Sequence, residues 1–382
     1  MIGTHPHPIL YVVPSAGIGG AETFIQHAAL FHNRNEFSPL FCLLRDGALG
    51  DWFRKNSIPN FWVDPHPSRL SHPNSLLRTV RWISAIAKNH HASLIHSTMA
   101  YGALFGAPAS KLAKIPHLWF QHGPVSGWMD LLAEALPCEL ILTNSTFTME
   151  RQKQLKTAAH RFLLPERKKE LFGLGVDFET VKKVSAESIQ KQEKDFVAGI
   201  LCRLQEWKGV HIFIEAIAEA RKTNPEIRGI IFSGTADGSK QDQYEKKVRK
   251  LALETKSLVS FVGHTATPLQ AMLALDVVVN ASITPEPFGL TIIEAMAMGR
   301  VPIAPREGGP LDIIEDGING LFFTPRNPKD LAEKILHLAE NSEFYHRLST
   351  QANQTAQSQF DARKSIAKLE QIYSSKFMSK HN

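Results

Sequence analysis

Two carboxylates separated by seven residues mark the start of an apolar stretch, PEPFGLTIIEAMAMGR, at residues 285–300. Glu286 lies in a loop ahead of a predicted helix over about 289–298, and Glu294 lies inside that helix. An unpaired buried carboxylate is very costly, so Glu294 needs a partner. Its own helix could supply one, because Thr291 and Glu294 fit a capping box. A glycosidase acid/base pair fits less well, since its two carboxylates must face each other across one bond.

A clamp for a phosphorylated ligand is the other interpretation of this stretch. The positive end of the helix would offer backbone N–H groups, which suit phosphate. These groups belong to Phe288, Gly289, Leu290 and Thr291. Glu294 could then accept hydrogen bonds from a vicinal diol such as a ribose, and Glu286 from the hydroxyl groups of a sugar beyond the phosphates.

A pair of cations forms a second candidate site. Arg203 and Lys208 follow the predicted strand FVAGILC and precede a predicted helix over about 208–222. A lysine at the amino end of a helix is at the wrong pole of the helix dipole unless an anion lies between them. A diphosphate would supply that anion, whereas the alternative is a solvated connecting loop.

A glycine-rich turn, SAGIGGAE at residues 15–22, follows the first predicted strand. Its spacing differs from the dinucleotide fingerprint, and the nearest acid, Asp46, is poorly placed for a ribose. The turn therefore predicts only that the backbone N–H groups of Gly19 and Gly20 point towards a ligand.

Histidines and carboxylates complete the inventory of reactive groups. His96 and His122 end predicted strands, where they could belong to a site or make structural hydrogen bonds. No Asp-x-Asp occurs, so a metal site for a Mg²⁺–diphosphate complex is not expected.

The elements that must position these residues alternate between short apolar runs and amphipathic stretches. At 382 residues the chain is too long for one ordinary core, so two domains are expected. Alternating strands and helices predict an α/β fold in each, a doubly wound, Rossmann-like parallel sheet. We place the domains at residues 1–178 and 179–360, with a helix over 361–382 that packs back on the first. The carboxyl ends of the strands, and therefore the ligand, would meet in a cleft between them.

Composition narrows the class of protein. The formal charge of +6 comes from Lys and Arg that look scattered, which favours anionic small molecules or a phospholipid surface and not nucleic acid. Three distant cysteines, Cys42, Cys138 and Cys202, predict reduced thiols and a cytoplasmic protein. No segment reaches the roughly 18 apolar residues of a spanning helix. The basic segment PERKKE, residues 165–170, could touch the inner face of the plasma membrane or be an ordinary solvated charge run.

Together these motifs resemble the retaining glycosyltransferases of the GT-B fold, family 4. The hallmark of that family is E-x7-E, here Glu286 to Glu294 in EPFGLTIIE. Further matching segments span nearly the whole chain, in the order GIGGAE, QHG, NST, GVD, RLQEWKG, VSFVGHT and EGGPLDIIEDGINGLFF. Two details depart from the family pattern: SGTADG at residues 233–238 is not a run of glycines, and Asp312 stands where Glu is more usual.

The resemblance implies a donor site for a UDP- or GDP-sugar in the second domain, with no metal and no cofactor required. Arg203 and Lys208 would neutralise the diphosphate together with the backbone after Glu286. Glu294 would bind the ribose, and Glu286 would bind the transferred sugar. The proposed catalytic residues are Arg203, Lys208, Glu286 and His122, and the remaining donor-binding residues are Gly19, Gly20, Phe288, Gly289, Leu290, Thr291 and Glu294.

The first domain would bind a glycan, lipid-linked or small-molecule acceptor, with His122 near the transferred sugar. Tyr101, Trp119 and Trp128 are candidates there for stacking on a carbohydrate ring, or for the core. Two other classes stay open from the residues alone. One is an NAD-dependent Rossmann oxidoreductase, and the other is a non-catalytic protein of the same fold that binds a sugar nucleotide.

Overall fold

The computed structural model describes residues 6–14, 17–66, 68–125, 127–155, 167–186, 195–234, 239–265 and 267–378. The chain divides into unit 1, Met1–Leu174 with Ala362–Asn382, and unit 2, Gly175–Asp361. Each unit is built on one parallel sheet, so the predicted class of two α/β, Rossmann-like domains is confirmed. Ser15, the first two residues of PERKKE and most of SGTADG lie outside the described residues.

Unit 1 contains a seven-stranded sheet in the order β3-β2-β1-β4-β5-β6-β7. Its strands are β1 His7–Val13, β2 Phe37–Leu43, β3 Phe61–Val63, β4 Leu94–Thr98, β5 His117–Gln121, β6 Leu140–Thr143 and β7 Lys169–Leu171. Its helices include α1 Gly20–Phe31, α2 Ala48–Lys55, α3 Pro73–Asn89, α4 Met99–Ala113, α5 Trp128–Ala135 and α6 Thr146–Gln154. The inner strands β1, β2, β4, β5 and β6 are mostly buried on both faces, as expected for a parallel sheet covered by helices, whereas the edge strands β3 and β7 are partly exposed.

Unit 2 contains a six-stranded sheet in the order β10-β9-β8-β11-β12-β13. Its strands are β8 Phe196–Arg203, β9 Ile227–Gly234, β10 Val259–Gly263, β11 Val277–Val279, β12 Val301–Pro305 and β13 Leu321–Phe323. Its helices include α7 Phe178–Ser185, α8 Val210–Thr223, α9 Ser239–Thr255, α10 Pro268–Met272, α11 Leu290–Ala297, α12 Pro328–Glu340 and α13 Ser342–Gln359.

The last helix, α14, covers Ala362–Tyr373 and belongs to unit 1. Its apolar side is buried, and Tyr373 Oη lies 2.8 Å from Tyr11 Oη and 2.5 Å from His96 Nδ1. Burial holds the pKa of His96 well below its usual value, so the ring is neutral. His96, which the sequence left between a site and a structural role, makes a structural hydrogen bond to α14.

The described helices offer no candidate for a membrane span, since none combines the necessary length with sufficiently apolar composition. The three cysteines are free thiols.

Candidate active site in unit 2

The order of strands in unit 2 reverses between β8 and β11, which lie side by side. From β8 the chain winds outward through β9 and β10, and from β11 it winds the other way through β12 and β13. In open α/β sheets, ligands bind at such a switch point, in the crevice beyond the carboxyl ends of the strands. The loops that follow β8 and β11 carry the predicted cations and carboxylate, so the topology brings these two sequence motifs together.

An ion pair joins the two motifs. Lys208 Nζ lies 2.9 Å from Glu286 Oε1 and 2.7 Å from Glu286 Oε2. Ser282 donates from Oγ to Glu286 Oε2 (2.9 Å), so the carboxylate is held from two sides. Both charged side chains are mostly buried, and such a pair interacts more strongly than an exposed one. This pairing could not be predicted from local sequence, because 78 positions separate the two residues.

The position of Lys208 follows from a tight turn after β8. Residues Glu206–Lys208 form a 3-10 turn that ends at Gly209, whose φ of +68° is left-handed. A Cβ on Gly209 would overlap the carbonyl oxygen of Ala281, so only glycine lets the two loops approach this closely. Ile283 N–H donates to Trp207 O (2.8 Å), which fixes the β8 loop against the β11 loop.

A second segment holds the loop that carries Glu286 from its other side. This is the EGG segment, residues 307–309, which follows β12. Gly309 N–H donates to Glu286 O (2.7 Å). A Cβ on Gly309 would lie 2.5 Å from Phe288 Cα, and one on Gly308 would lie 2.6 Å from Glu286 O. The two glycines therefore allow backbone to pack on backbone. The sequence pointed to this segment only as a family motif, and its structural role was missed.

Helix α11 begins at Leu290, with Gly289 as its cap at φ +114° and with no side-chain capping bond. The alternative that Thr291 and Glu294 form a capping box is therefore wrong, because Thr291 lies inside the helix. Nothing in the described part of the chain accepts from the N–H groups of Phe288, Gly289 and Leu290. These groups can donate to an anion at the positive end of the helix.

Glu294 lies one turn inside α11 among apolar neighbours. No hydrogen bond or ion pair to its carboxyl group occurs within the described residues. Burial raises the pKa of Glu294 to about 8, so the group is largely protonated at neutral pH. A ligand that donates hydrogen bonds to the ionised carboxylate would stabilise that form and lower the pKa of Glu294.

We expect Glu294→Gln to raise stability in a pH-dependent way. The pKa of Glu294 is raised in the folded protein, so ionisation destabilises the wild type progressively as pH rises from about 4.5 to about 8. Glutamine cannot ionise, and the gain in unfolding free energy of the variant should widen over that interval. Urea unfolding of both proteins at pH 5, 7 and 9 measures it. A variant less stable by the same amount at every pH would indicate a structural bond of Glu294 instead.

Arg203 ends β8 with an exposed side chain. It takes part in no salt bridge that the described residues form, in contrast to Lys208. Its neighbour Cys202 lies beneath the ion pair, and burial raises the pKa of that thiol to about 12. Cys202 is therefore a neutral packing residue, and Arg203 is the exposed cation of this site.

The remaining predicted site residues lie in unit 1: Gly19 and Gly20 follow β1, which borders that unit's switch point between β1 and β4, and His122 follows β5. Gly19 caps helix α1 and Gly20 begins it, so the glycine-rich turn joins β1 to the amino end of α1. The ring of His122, just after β5, packs 3.7 Å from that of Phe120 and 5.2 Å from that of Phe24, centroid to centroid.

The imidazole of His122 is buried, and neither of its nitrogens has a hydrogen-bond partner among the described residues. Burial lowers its pKa to about 3, so it is neutral. Asn144 of the NST motif donates to His122 O (2.9 Å) and so fixes this turn. Of the aromatic candidates, Trp119 belongs to the core, whereas Trp128 is 62% exposed.

The chain is similar to several known proteins. Residues 181–355 match the family model of glycosyl transferases group 1. The crystal structure of Anabaena Alr3699/HepE in complex with UDP and glucose is similar, with a TM-score of 0.79 and 25% identity over 96% of this chain and 99% of that one.

Two curated relatives are similar over parts of their length. The putative glycosyltransferase EpsD of Bacillus subtilis is 24% identical over 75% of this chain and 71% of its own. The alpha-monoglucosyldiacylglycerol synthase of Acholeplasma laidlawii is 33% identical over 41% of this chain and 38% of its own. The resemblance that the motifs indicate is confirmed: residues 181–355, in the second unit, match the model of glycosyl transferases group 1, and the chain is similar to GT-B glycosyltransferases.

Proposed function

We propose that the protein transfers a sugar from a UDP-sugar to an acceptor bound by unit 1, with retention of anomeric configuration and without a metal. One observation carries this proposal. The switch point of unit 2 gathers Arg203, the Lys208–Glu286 pair and the free N–H groups of Phe288 to Leu290. Cations and unpaired N–H groups beside a fixed carboxylate suit a diphosphate with a sugar attached.

Similarity to HepE favours UDP over GDP as the nucleotide. Crystal structures of HepE contain UDP, UDP with glucose, and UDP-glucose. In the UDP-glucose complex, HepE is 25% identical to this protein over 96% of the present chain. The relative from Acholeplasma laidlawii is named for a glycolipid product, which supports a carbohydrate or lipid-linked acceptor as the class to test.

Arg203 and Lys208 would stabilise the leaving diphosphate. Negative charge accumulates on that group as the glycosidic bond breaks, and prearranged cations and N–H groups lower the energy of this state. The ammonium of Lys208 has three protons, and Glu286 occupies at most two of them. The third can meet a phosphate oxygen without breaking the ion pair, so the carboxylate holds Lys208 ready for the donor.

Glu286 would accept hydrogen bonds from hydroxyl groups of the transferred sugar. Ser282 and Lys208 hold its carboxylate in place, and the backbone of its loop is fixed by Gly309. Glu294 would accept from the two hydroxyl groups of the ribose. Because that interaction favours the ionised carboxylate, donor binding would release a proton from Glu294 below about pH 8.

The anomeric configuration would be retained if the acceptor hydroxyl attacks the anomeric carbon from the same face that the diphosphate leaves. In this route the departing phosphate oxygen takes the proton of the acceptor hydroxyl, and the sugar passes through an oxocarbenium-like state. His122 is neutral, and its two buried ring nitrogens lack a partner among the described residues, so it suits a hydrogen bond to a sugar hydroxyl better than charge stabilisation.

Thermal unfolding with nucleotides tests the donor. A ligand that binds only the folded protein adds about 2.7 kcal/mol at 100 times its dissociation constant. We expect UDP to raise the melting temperature, GDP to raise it less and NAD to have no effect. Stabilisation by NAD alone would rule out the proposal.

Product analysis tests the reaction itself. Incubation with UDP-glucose and a panel of glycan and lipid acceptors should release UDP, and the anomeric proton of the product should show the configuration of the donor in NMR. A product with inverted anomeric configuration would rule out the retaining mechanism. Binding of UDP with no transfer to any acceptor would instead indicate a non-catalytic binding protein.

A further inference from the structure

One long segment of unit 1 is free of carboxylates. Between Asp64 and Asp130 the chain has no Asp or Glu but six Lys and Arg, namely Arg69, Arg78, Arg81, Lys88, Lys111 and Lys114. The formal charge of the whole chain is +6, so the rest of the chain is balanced in formal charge. The Lys and Arg are scattered along the chain, as the sequence indicates, but the excess positive charge arises in this one segment because it lacks carboxylates.

The fold places most of these cations on two neighbouring helices. Helix α3 buries its Thr79, Ile83 and Ile86 side, and its exposed side carries Arg81 and Lys88. Helix α4 packs along α3 and exposes Lys111 in its last turn. Each helix returns from the carboxyl edge of the sheet to its amino edge, so their last turns lie at the same end.

Intramolecular partners do not neutralise this face. Arg69, Arg81, Lys88, Lys111 and Lys114 take part in no salt bridge within the described residues. Exposed helices elsewhere differ: on α9, Arg249 pairs with Glu245 and Lys250 with Glu254.

The carboxylate at the start of the segment does not reach this face. Asp64 is buried and accepts hydrogen bonds from Thr79 Oγ1 (2.7 Å) and Ser68 Oγ (2.8 Å).

Apolar side chains stand among these cations. Leu77, one turn before Arg81 on α3, is 46% exposed, and so is Leu112, which follows Lys111 on α4. A helix face that mixes cations with exposed leucines is typical of segments that lie on an anionic lipid surface. A soluble polyanion or a nucleic acid would use the cations but leave the leucines without a partner.

The basic segment PERKKE, the contact suggested by the sequence, is less suited to this role. Lys169 forms a buried ion pair with Glu134 (2.8 Å), and Arg167 donates to the carbonyl of Leu136 (3.1 Å). Its described cations therefore serve largely to join elements of unit 1.

We propose that the exposed side of α3 and the last turn of α4 form a docking surface for a membrane that contains anionic phospholipids. The cations meet the headgroups, and Leu77 and Leu112 enter the headgroup layer. Attraction to an anionic surface contributes about 1 kcal/mol per cation, so several cations together give reversible, salt-dependent binding.

Vesicle sedimentation tests the charge component. The full chain is mixed with phosphatidylcholine vesicles with or without phosphatidylglycerol. Wild type should bind only the anionic vesicles, and Arg81→Ala/Lys88→Ala should bind them roughly 30-fold more weakly, which corresponds to about 1 kcal/mol per cation. The matched control is Lys246→Ala/Lys250→Ala on α9, which removes the same charge from an exposed surface of unit 2 and should bind like wild type.

Three results would overturn the proposal. They are no binding of wild type to anionic vesicles, equal weakening of both double variants, and tighter binding to dextran sulfate than to vesicles of equal charge. The last result would identify a polyanion as the partner.

A fluorescent label tests the apolar component. Leu77→Cys carrying an environment-sensitive dye should brighten on anionic vesicles, whereas the same label at Leu253→Cys, a 79% exposed site on α9, should not. The native cysteines favour selective labelling, because Cys42 and Cys138 are buried and burial raises the pKa of Cys202 to about 12. Equal responses at both sites, or none at Leu77→Cys, would exclude insertion of this face.

Discussion

Lys208→Met is expected to lower kcat by roughly 100-fold to 1000-fold while the protein stays folded. Methionine keeps most of the length of the lysine side chain but removes the charge that would meet the leaving diphosphate. The effect falls on kcat because charge on the diphosphate grows as the glycosidic bond breaks. Steady-state rates of UDP release, with the sugar donor varied, separate kcat from KM.

The matched control for this variant is Lys222→Met, near the end of α8, the helix that follows the turn of Lys208; Lys222 is exposed and pairs with Glu219. It should retain the wild-type rate. Turnover of Lys208→Met within a few-fold of wild type would contradict the role of this lysine at the diphosphate.

The ion pair adds a second test of the same role. If Lys208 and Glu286 act as one unit, Lys208→Met/Glu286→Gln should be little slower than the slower single variant. If the fold-loss in rate of the double variant equals the product of the two single fold-losses, the residues act independently.

The elements of both sheets could be predicted from the sequence because each is encoded locally. The run FVAGILC is β8, and the apolar stretch that follows Gly289 is α11, which ends before the left-handed Gly299. The periodicity of apolar residues and the glycines at helix ends are sufficient to predict such elements. The site residues Arg203, Lys208, Glu286 and Glu294 were also identifiable, because a family motif links their types and spacing.

The contacts among these residues could not be predicted, because they depend on chain segments far apart in sequence. The ion pair of Lys208 with Glu286 exists because β8 and β11 are neighbours in the sheet. The burial of Glu294 was expected from its apolar helix, but its lack of a partner was not, because local spacing suggested a capping box that does not form. The charged face of α3 could not be predicted for a related reason, since a helix gathers on one face cations that are scattered along the chain.

Gly309→Ala is expected to lower transfer activity by more than about 100-fold, although Gly309 has no side chain to touch the donor. Its new Cβ would lie 2.5 Å from Phe288 Cα and from Pro287 O, and 2.6 Å from Phe288 O. These are backbone atoms that cannot rotate away, so either the 3-10 turn that begins at Gly309, residues Gly309–Asp312, or the loop behind Glu286 must shift. A displacement of about 1 Å in a positioning element costs roughly 100-fold in rate. Donor affinity should fall as well, because the free N–H groups at the start of α11 belong to that loop.

The same overpacking should lower the unfolding free energy by about 1–3 kcal/mol, which leaves a folded protein to assay. Gly173→Ala is the matched control: a Cβ there meets no atom within 4 Å, so its stability should change by less than about 0.5 kcal/mol and its activity should not change. Urea unfolding and UDP release measure both variants. Full activity in a destabilised Gly309→Ala would show that the loop tolerates the shift. The contact between the two loops would then serve the fold alone, and the role assigned here to the backbone after Glu286 would fail.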